Sequence, residues 1–73
     1  MSPARVAKRS LDIAGHRTSV SLETAFWEAL GTIAAERNVS LAALVAEIDR
    51  TRTPETNLSS AIRVFVLEHY WRG

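Results

Sequence analysis

The sequence predicts a small, mainly α-helical domain with one N-terminal β-strand, which needs a partner strand from elsewhere. Residues 17–22 alternate between polar and apolar side chains, and three segments of helical apolar periodicity follow them. The chain has 73 residues, no cysteine and 47% apolar residues. A chain of this length buries only about 60% of its unfolded surface, so it is marginally stable alone. Abundant apolar residues without disulfides therefore favour oligomerisation.

The predicted strand, residues 17–22, has the period-two alternation of a strand whose two faces meet different surroundings. Val20 and Leu22 are expected to face the core, with Thr18 beside them. The opposite, solvent-facing side carries Arg17, Ser19 and Ser21. Because a buried backbone N–H or C=O without a partner is costly, a lone strand needs a second strand from elsewhere.

The segment before this strand is predicted to be a flexible basic arm, residues 1–9, leading into one domain, residues 10–73. The alternation of Leu11 and Ile13 and a turn at Gly15 leave open a strand extension or a hairpin arm. Residues 1–17 contain four basic side chains and one acidic side chain, a net charge of +3, whereas residues 18–73 contain five and seven, a net charge of −2. Such an asymmetry favours contact with phosphate or anionic lipid.

The first helix is predicted over residues 24–37, where apolar residues recur at i, i+4, i+7 and i+8. This stripe consists of Phe26, Leu30, Ile33 and Ala34. Asn38 follows the stripe and is suited to a left-handed helix stop.

The second helix is predicted to start after Ser40, a good N-cap residue. Its apolar stripe at i, i+3, i+4 and i+7 consists of Leu41, Leu44, Val45 and Ile48. The pattern is interrupted at Pro54, which disfavours helical conformation in the residue before it.

The third helix is predicted over residues 58–70, with Asn57 as its cap. Its regular stripe consists of Leu58, Ala61, Ile62, Phe65 and Val66. Residues 64–67 are also compatible with a strand by propensity, but the spacing and the cap favour a helix. The second half of this helix is apolar nearly all round, which predicts burial on two sides, most simply between two subunits.

This order of elements resembles the ribbon-helix-helix family of bacterial DNA-binding regulators. The resemblance rests on residues 17–22, Phe26, Leu30, Ile33, Ala34, the turn Asn38-Val39-Ser40, and Leu41, Leu44, Val45 and Ile48. Residues 14–19 and 57–63 are similar to a compact bacterial subgroup with an additional C-terminal helix. The resemblance implies an intertwined homodimer whose two strands form an antiparallel intersubunit ribbon. Its core is expected to contain Val20, Leu22, Phe26, Leu30, Leu44, Ile48, Ile62 and Phe65.

The resemblance also implies a DNA interface. Outward-facing strand positions contact base edges in the family, and the positions carried over are Arg17, Ser19 and Ser21. A two-stranded ribbon fits a major groove about 12 Å wide. The phosphate contacts are expected from the basic segment and from a helix N-terminus: Arg5, Lys8, Arg9, His16, Ser40 and Leu41. The third helix departs from the simple family pattern and leaves open whether Ser40 or Asn57 starts the phosphate-binding helix.

The sequence therefore predicts a cytoplasmic, nucleoid-associated regulator, most simply a repressor, that binds itself and double-stranded DNA. We expect no enzyme activity, cofactor or metal, and no apolar run approaches the roughly 20 residues that span a bilayer. His16 near Asp12 and Ser19 invites a catalytic interpretation, but a triad needs a preformed pocket and an oxyanion site that so small a chain is not expected to build. The alternative function is a protein-interaction module, such as an antitoxin or an adaptor, suggested by the apolar third helix. A higher oligomer than a dimer is also left open.

Overall fold

The structure, a computed structural model, describes residues 4–72. Two strands, β1 (Val6–Ile13) and β2 (His16–Glu23), form an antiparallel two-stranded ribbon. Three helices follow, with these bounds: α1 (Thr24–Glu36), α2 (Leu41–Thr51) and α3 (Leu58–Arg72).

The prediction of one N-terminal strand is wrong, because β2 pairs with β1 of the same chain. Val6 lies opposite Glu23 at one end of the ribbon, and Ile13 lies opposite His16 at the other. The ribbon is thus complete without a strand from a second copy, and the hairpin arm that the sequence left open is what forms. Because β2 has its partner strand within the same chain, no ribbon between subunits is needed to pair it.

A two-residue turn sets the register of this hairpin. Ala14 and Gly15 both have positive φ, 51° and 84°. Two-residue hairpin turns of type I′ require positive φ at both central positions, and glycine adopts it without steric cost. The turn therefore reverses the chain without disturbing the right-handed twist of the two strands.

The start of β1 is hydrogen-bonded to the start of α1. The backbone N–H of Thr24 donates to the carbonyl of Arg5 at 2.7 Å, and the Trp27 indole N–H donates to the carbonyl of Ala7 at 2.9 Å. Residues 6–9 of the expected flexible arm consequently belong to β1. Residues 1–3 of that arm lie outside the described residues.

The helix boundaries follow the capping signals. Ser40 Oγ accepts from the N–H of Ala43 at 3.0 Å, and Asn57 Oδ1 accepts from the N–H of Ser60 at 2.8 Å. Asn38 has a φ of 57°, the left-handed conformation expected of a residue that ends a helix. The strand alternative for residues 64–67 is excluded, because they lie within α3.

One hydrophobic core joins the ribbon to all three helices. Its buried residues are Ile13, Val20, Leu22, Trp27, Leu30, Ile33, Ala34, Leu44, Val45, Ile48, Ile62 and Val66. Six of the eight residues expected in a dimer core are among them, and Phe26 and Phe65 pack against this cluster half-buried. The single chain already buries these six side chains, so a second copy would have to cover other residues.

Within residues 4–72, none of the three helices is by itself long and apolar enough to cross a bilayer. Only α1 and α2 taken together reach the required length and composition, as a pair bent by 100°.

Candidate nucleic-acid interface

The ribbon has one buried face and one exposed face, and the exposed face is the candidate interface. The alternation of β2 predicted this arrangement correctly: Val20 and Leu22 are 3% and 0% exposed, whereas Ser19 and Ser21 are exposed. Because cross-strand partners share a face, β1 contributes the same kind of residues. We define the outer face as Val6, Lys8, Ser10, Asp12, Arg17, Ser19 and Ser21, all of which are exposed.

Arg17, the strongest predicted base contact, forms an ion pair on this face. Its Nη1 lies 3.2 Å from both carboxylate oxygens of its cross-strand partner, Asp12. The two side chains are 69% and 74% exposed. Such solvent-exposed pairs contribute about 0–1 kcal/mol, so the guanidinium can exchange this carboxylate for another acceptor at little cost.

The two predicted serine contacts lie beside Arg17 on β2. Ser19 Oγ is 3.5 Å from Ser10 Oγ on the opposite strand. The carbonyl of Ser21 accepts a hydrogen bond from Ser59 Oγ at 3.0 Å. Because this bond uses the backbone carbonyl of Ser21, the side-chain hydroxyl of Ser21 remains on the outer face.

The basic residues expected to contact phosphate divide between the two faces. Lys8 lies on the outer face directly opposite Ser21, a position that could not be foreseen while Lys8 was assigned to the arm. Arg9 points to the inner side, where its guanidinium carbon lies 5.2 Å from the centre of the Trp27 ring. His16 is exposed at the turn end of β2, and Arg5 is exposed just before β1.

Of the two helix N-termini that remained open as phosphate sites, the N-terminus of α3 contacts the ribbon. Besides the bond between Ser59 and Ser21, Arg63 Nε and Nη2 donate to the two carboxylate oxygens of Glu23 at 2.9 and 3.2 Å. The cap bond of Ser40, by contrast, stays within the first turn of α2, which packs against β1. The first turn of α3 therefore lies against β2.

The charge separation seen in the sequence is retained in three dimensions. Between residue 5 and residue 23, four basic side chains accompany two acidic ones, which gives a net charge of +2. The helical residues 24–72 contain five basic and six acidic side chains, a net charge of −1. The ribbon is thus the positive part of the domain, with Lys8 and Arg17 on its outer face.

The Glu23–Arg63 pair predicts an acid-sensitive attachment of α3 to the ribbon. Hydrogen bonds from Arg63 hold the pKa of the Glu23 carboxyl below its ordinary value of 4.5. A carboxyl with a lowered pKa in the folded state contributes stability above its unfolded pKa, and this contribution is lost as the pH falls through the folded pKa. Glu23→Gln is therefore expected to remove part of the loss of stability that wild type shows in acid.

Urea unfolding between about pH 7 and pH 3 measures this effect. Glu28→Gln is the matched control, because Glu28 is an exposed carboxylate on α1. If both substitutions changed the loss of unfolding free energy in acid equally, the effect would come from the removal of a negative charge in general and not from the ion pair with Arg63.

Comparisons with known proteins agree with this architecture. The sequence profile of the ribbon-helix-helix domain matches residues 6–70. No curated protein matches the chain. Among solved structures, the chain is similar to an uncharacterized protein from Bordetella pertussis Tohama I, with a TM-score of 0.79 and 31% identity. The match covers 94% of this chain and 58% of the Bordetella chain.

Ribbon-helix-helix domains are commonly DNA-binding regulators or antitoxins and typically form dimers. The fold is generally regulatory rather than enzymatic. The profile match includes both strands and nearly all of α3. By this match, the chain belongs to the ribbon-helix-helix domain family.

Proposed function

We propose that the protein is a sequence-specific DNA-binding transcriptional regulator, a repressor in its simplest form, that places the outer face of its ribbon in the major groove. The observation that carries this proposal is the exposure of the whole outer face, which bears two cationic side chains, Lys8 and Arg17, on a ribbon whose other face packs against the helices. Two strands lie about 4.8 Å apart, so the ribbon fits a groove about 12 Å wide.

Arg17 is the principal base contact in this proposal. A guanidinium can donate two hydrogen bonds to O6 and N7 of guanine, whereas the hydroxyls of Ser19 and Ser21 accept from or donate to several bases. Because two serines discriminate weakly, the remaining specificity would come from DNA shape and deformability.

Phosphate contacts would flank the groove. Lys8 and His16 are exposed on the ribbon, and Arg5 and Arg9 add positive charge at its base and inner side. The contact of Ser59 with β2 supports the N-terminus of α3, rather than that of α2 at Ser40, as the helix end nearest a phosphate beside the groove. Backbone N–H groups in the first turn of a helix and the helix dipole favour such an anion.

Titration of the DNA upstream of the gene, followed by fluorescence anisotropy at several salt concentrations, tests the proposal. We expect specific binding at moderate ionic strength, with an affinity that falls linearly with the logarithm of salt concentration. Equal affinity for the upstream DNA and a scrambled duplex would contradict sequence-specific regulation. Absence of salt-sensitive binding to either duplex would contradict DNA binding altogether.

Lys8→Ala is expected to weaken binding to all DNA sequences alike. Removal of one phosphate contact lowers the slope of log K against log salt by about 0.9. Arg50→Ala is the matched control, since Arg50 is an exposed cation in the last turn of α2. An unchanged slope for Lys8→Ala, or an equal change for both variants, would show that Lys8 is not at a phosphate.

The second candidate function is that of an antitoxin or adaptor that binds another protein through the same fold. One observation favours it: the outer side of α3 exposes the large hydrophobic residues Val64, Leu67, Tyr70 and Trp71. Co-purification of the tagged chain with the product of a neighbouring gene, lost on substitution of Leu67 by glutamate, would support this function.

A further inference from the structure

An apolar groove runs between the start of α1 and the exposed side of α3. Its volume is about 320 Å³, and nearly all of its wall is apolar. The residues that line it are Phe26, Arg63, Val64, Val66, Leu67 and Tyr70. Ligand sites in proteins are clefts of about 300–1,000 Å³, lined mostly by hydrophobic and aromatic side chains with few polar groups. The groove therefore has the size and the wall composition of a small-molecule site.

The inner part of the groove belongs to the core, whereas its rim is open to solvent. Val66 is 5% exposed, and Phe26 packs half-buried against the core cluster. Val64, Leu67 and Tyr70 are 52%, 56% and 55% exposed. Because removal of apolar surface from water is favourable, a ligand that covers this rim gains free energy on binding. The core beneath it keeps the site formed before the ligand arrives.

The ion pair of Arg63 determines the charge of the ligand. Of the described residues that line the groove, only Arg63 is charged, and its Nε and Nη2 already donate to the Glu23 carboxylate at 2.9 and 3.2 Å. Its guanidinium carbon lies 6.0 Å from the centre of the Phe26 ring. A charged ligand would lose hydration here without gaining an ion-pair partner, which is costly. The groove therefore selects an uncharged molecule.

The volume and the aromatic side chains restrict the ligand further. An apolar protein cavity of about 150 Å³ binds benzene, so the groove has room for two fused rings. Phe26 and Tyr70 offer rings against which an aromatic ligand can stack or pack edge-on. The Tyr70 hydroxyl can donate to, or accept from, one polar group of the ligand.

The exposed rim is too small for a folded partner. Val64, Leu67 and Tyr70 each retain just over half of their accessible surface. Because even an aromatic side chain buries at most about 250 Å², the three together offer no more than roughly 400 Å². Each partner in a specific protein interface contributes about 800 Å². The rim thus suits a small molecule better than a protein surface.

We propose that this groove binds a small, uncharged aromatic molecule of one or two rings that carries at most one polar group. Binding there does not depend on recognition of DNA by the ribbon. Arg63 nevertheless connects the two surfaces, because it lies in the wall of the groove and holds Glu23 at the end of β2. The bound molecule is placed next to the contact that attaches α3 to the ribbon.

Titration of naphthol, a neutral two-ring alcohol, into the isotope-labelled full chain tests this site by the shifts of the amide signals in NMR spectra. Wild type is expected to bind naphthol with a dissociation constant on the order of 0.1–1 mM. The largest shifts are expected at Phe26, Leu67 and Tyr70. Naphthoate, a carboxylate of matched size, is expected to bind at least about tenfold more weakly.

Leu67→Glu places a carboxylate in the wall of the groove and is expected to weaken naphthol binding at least about tenfold. Val39→Glu is the matched control, because Val39 is an exposed apolar residue outside the groove. Tyr70→Ala, which removes one of the two rings, is a second variant that is expected to weaken binding. Circular dichroism verifies that each variant retains the wild-type helix content.

Three results would overturn the proposal: no saturable shifts with naphthol up to about 10 mM, equal affinity for naphthol and naphthoate, or unchanged naphthol binding by both groove variants. These titrations contain no DNA. A wild type that binds naphthol in the groove but binds no DNA would therefore refute the proposed function and leave the groove site intact.

Discussion

Replacement of Leu22 by alanine is expected to lower the free energy of unfolding by about 2–5 kcal/mol, the usual cost of a cavity at a fully buried leucine. Leu22 is 0% exposed on the inner face of β2. Its two neighbours in sequence attach α3 to the ribbon, since Ser21 accepts from Ser59 and Glu23 pairs with Arg63. The side chain therefore lies where the ribbon, the core and α3 meet, and little of the surroundings can collapse to fill the space.

Urea unfolding monitored by circular dichroism measures this loss. Ser21→Ala is the matched control, because its side chain is exposed on the adjacent position and the carbonyl that Ser59 contacts is unchanged; its effect should be within about 0.5 kcal/mol. A loss below about 1 kcal/mol for Leu22→Ala would contradict tight docking of the ribbon on the helices.

The helices were predictable because their signals are local. Ser40 and Asn57 are separated from the N–H groups they accept by only three residues, so the sequence alone indicated both caps. The apolar stripes likewise follow the helical repeat within each segment. The boundaries differ only at two ends: α1 stops at Glu36, one residue before its predicted end, and α3 continues to Arg72, two residues beyond it.

Strand β1 was left open as a hairpin arm, and its full length was not predicted, because its inner face is not uniformly apolar. The inward positions are Ala7, Arg9, Leu11 and Ile13, and an arginine at the second of them interrupts the alternation. The structure accommodates Arg9 by placing its guanidinium over the Trp27 ring, 18 residues away in sequence, which no local pattern reveals. The pair Ala14-Gly15 between two alternating runs was the available signal for a two-residue hairpin.

Apolar periodicity predicts that a side chain is buried but not which chain buries it. Leu30, Leu44 and Ile62 were expected between subunits, yet each is 1% exposed or less within one chain. The missing element was β1, because a complete ribbon on one chain lets the inner face of β2 pack on its own helices. What the pattern did indicate is a second apolar side on α3, and Leu67 and Trp71 are indeed exposed there.

The candidate interface was predictable in orientation but not in its contacts. Alternation alone placed Arg17, Ser19 and Ser21 on one face, since side chains in a strand alternate strictly. The carboxylate of Asp12 beside Arg17, by contrast, depends on the register of the hairpin, and the position of Ser59 depends on how α3 packs. The first feature depends on β1, whose full length was not predicted, and the second depends on two elements that lie far apart in sequence.

Substitutions of the two members of the Arg17–Asp12 ion pair are expected to change the affinity for DNA in opposite directions. Arg17→Ala should lower affinity for the specific DNA by about 1–3 kcal/mol, or roughly 5- to 150-fold, and relax specificity at one base pair. Asp12→Asn removes a negative charge from the outer face and releases the guanidinium, so it should raise affinity by about two- to fivefold. Anisotropy titrations of both variants on matched and scrambled duplexes measure these changes.

Opposite effects of the two substitutions on DNA affinity distinguish a DNA contact from an ion pair that only stabilises the hairpin. Both side chains are mostly exposed, so loss of either one should change the free energy of unfolding by no more than about 0.5 kcal/mol. If the pair served only to hold β1 against β2, both substitutions would weaken binding to the same small extent. If the outer face enters the groove, the carboxylate opposes the phosphates and competes for Arg17, so its removal must strengthen binding. A weaker Asp12→Asn variant with unchanged stability would therefore refute this orientation of the ribbon even if Arg17→Ala behaved as expected.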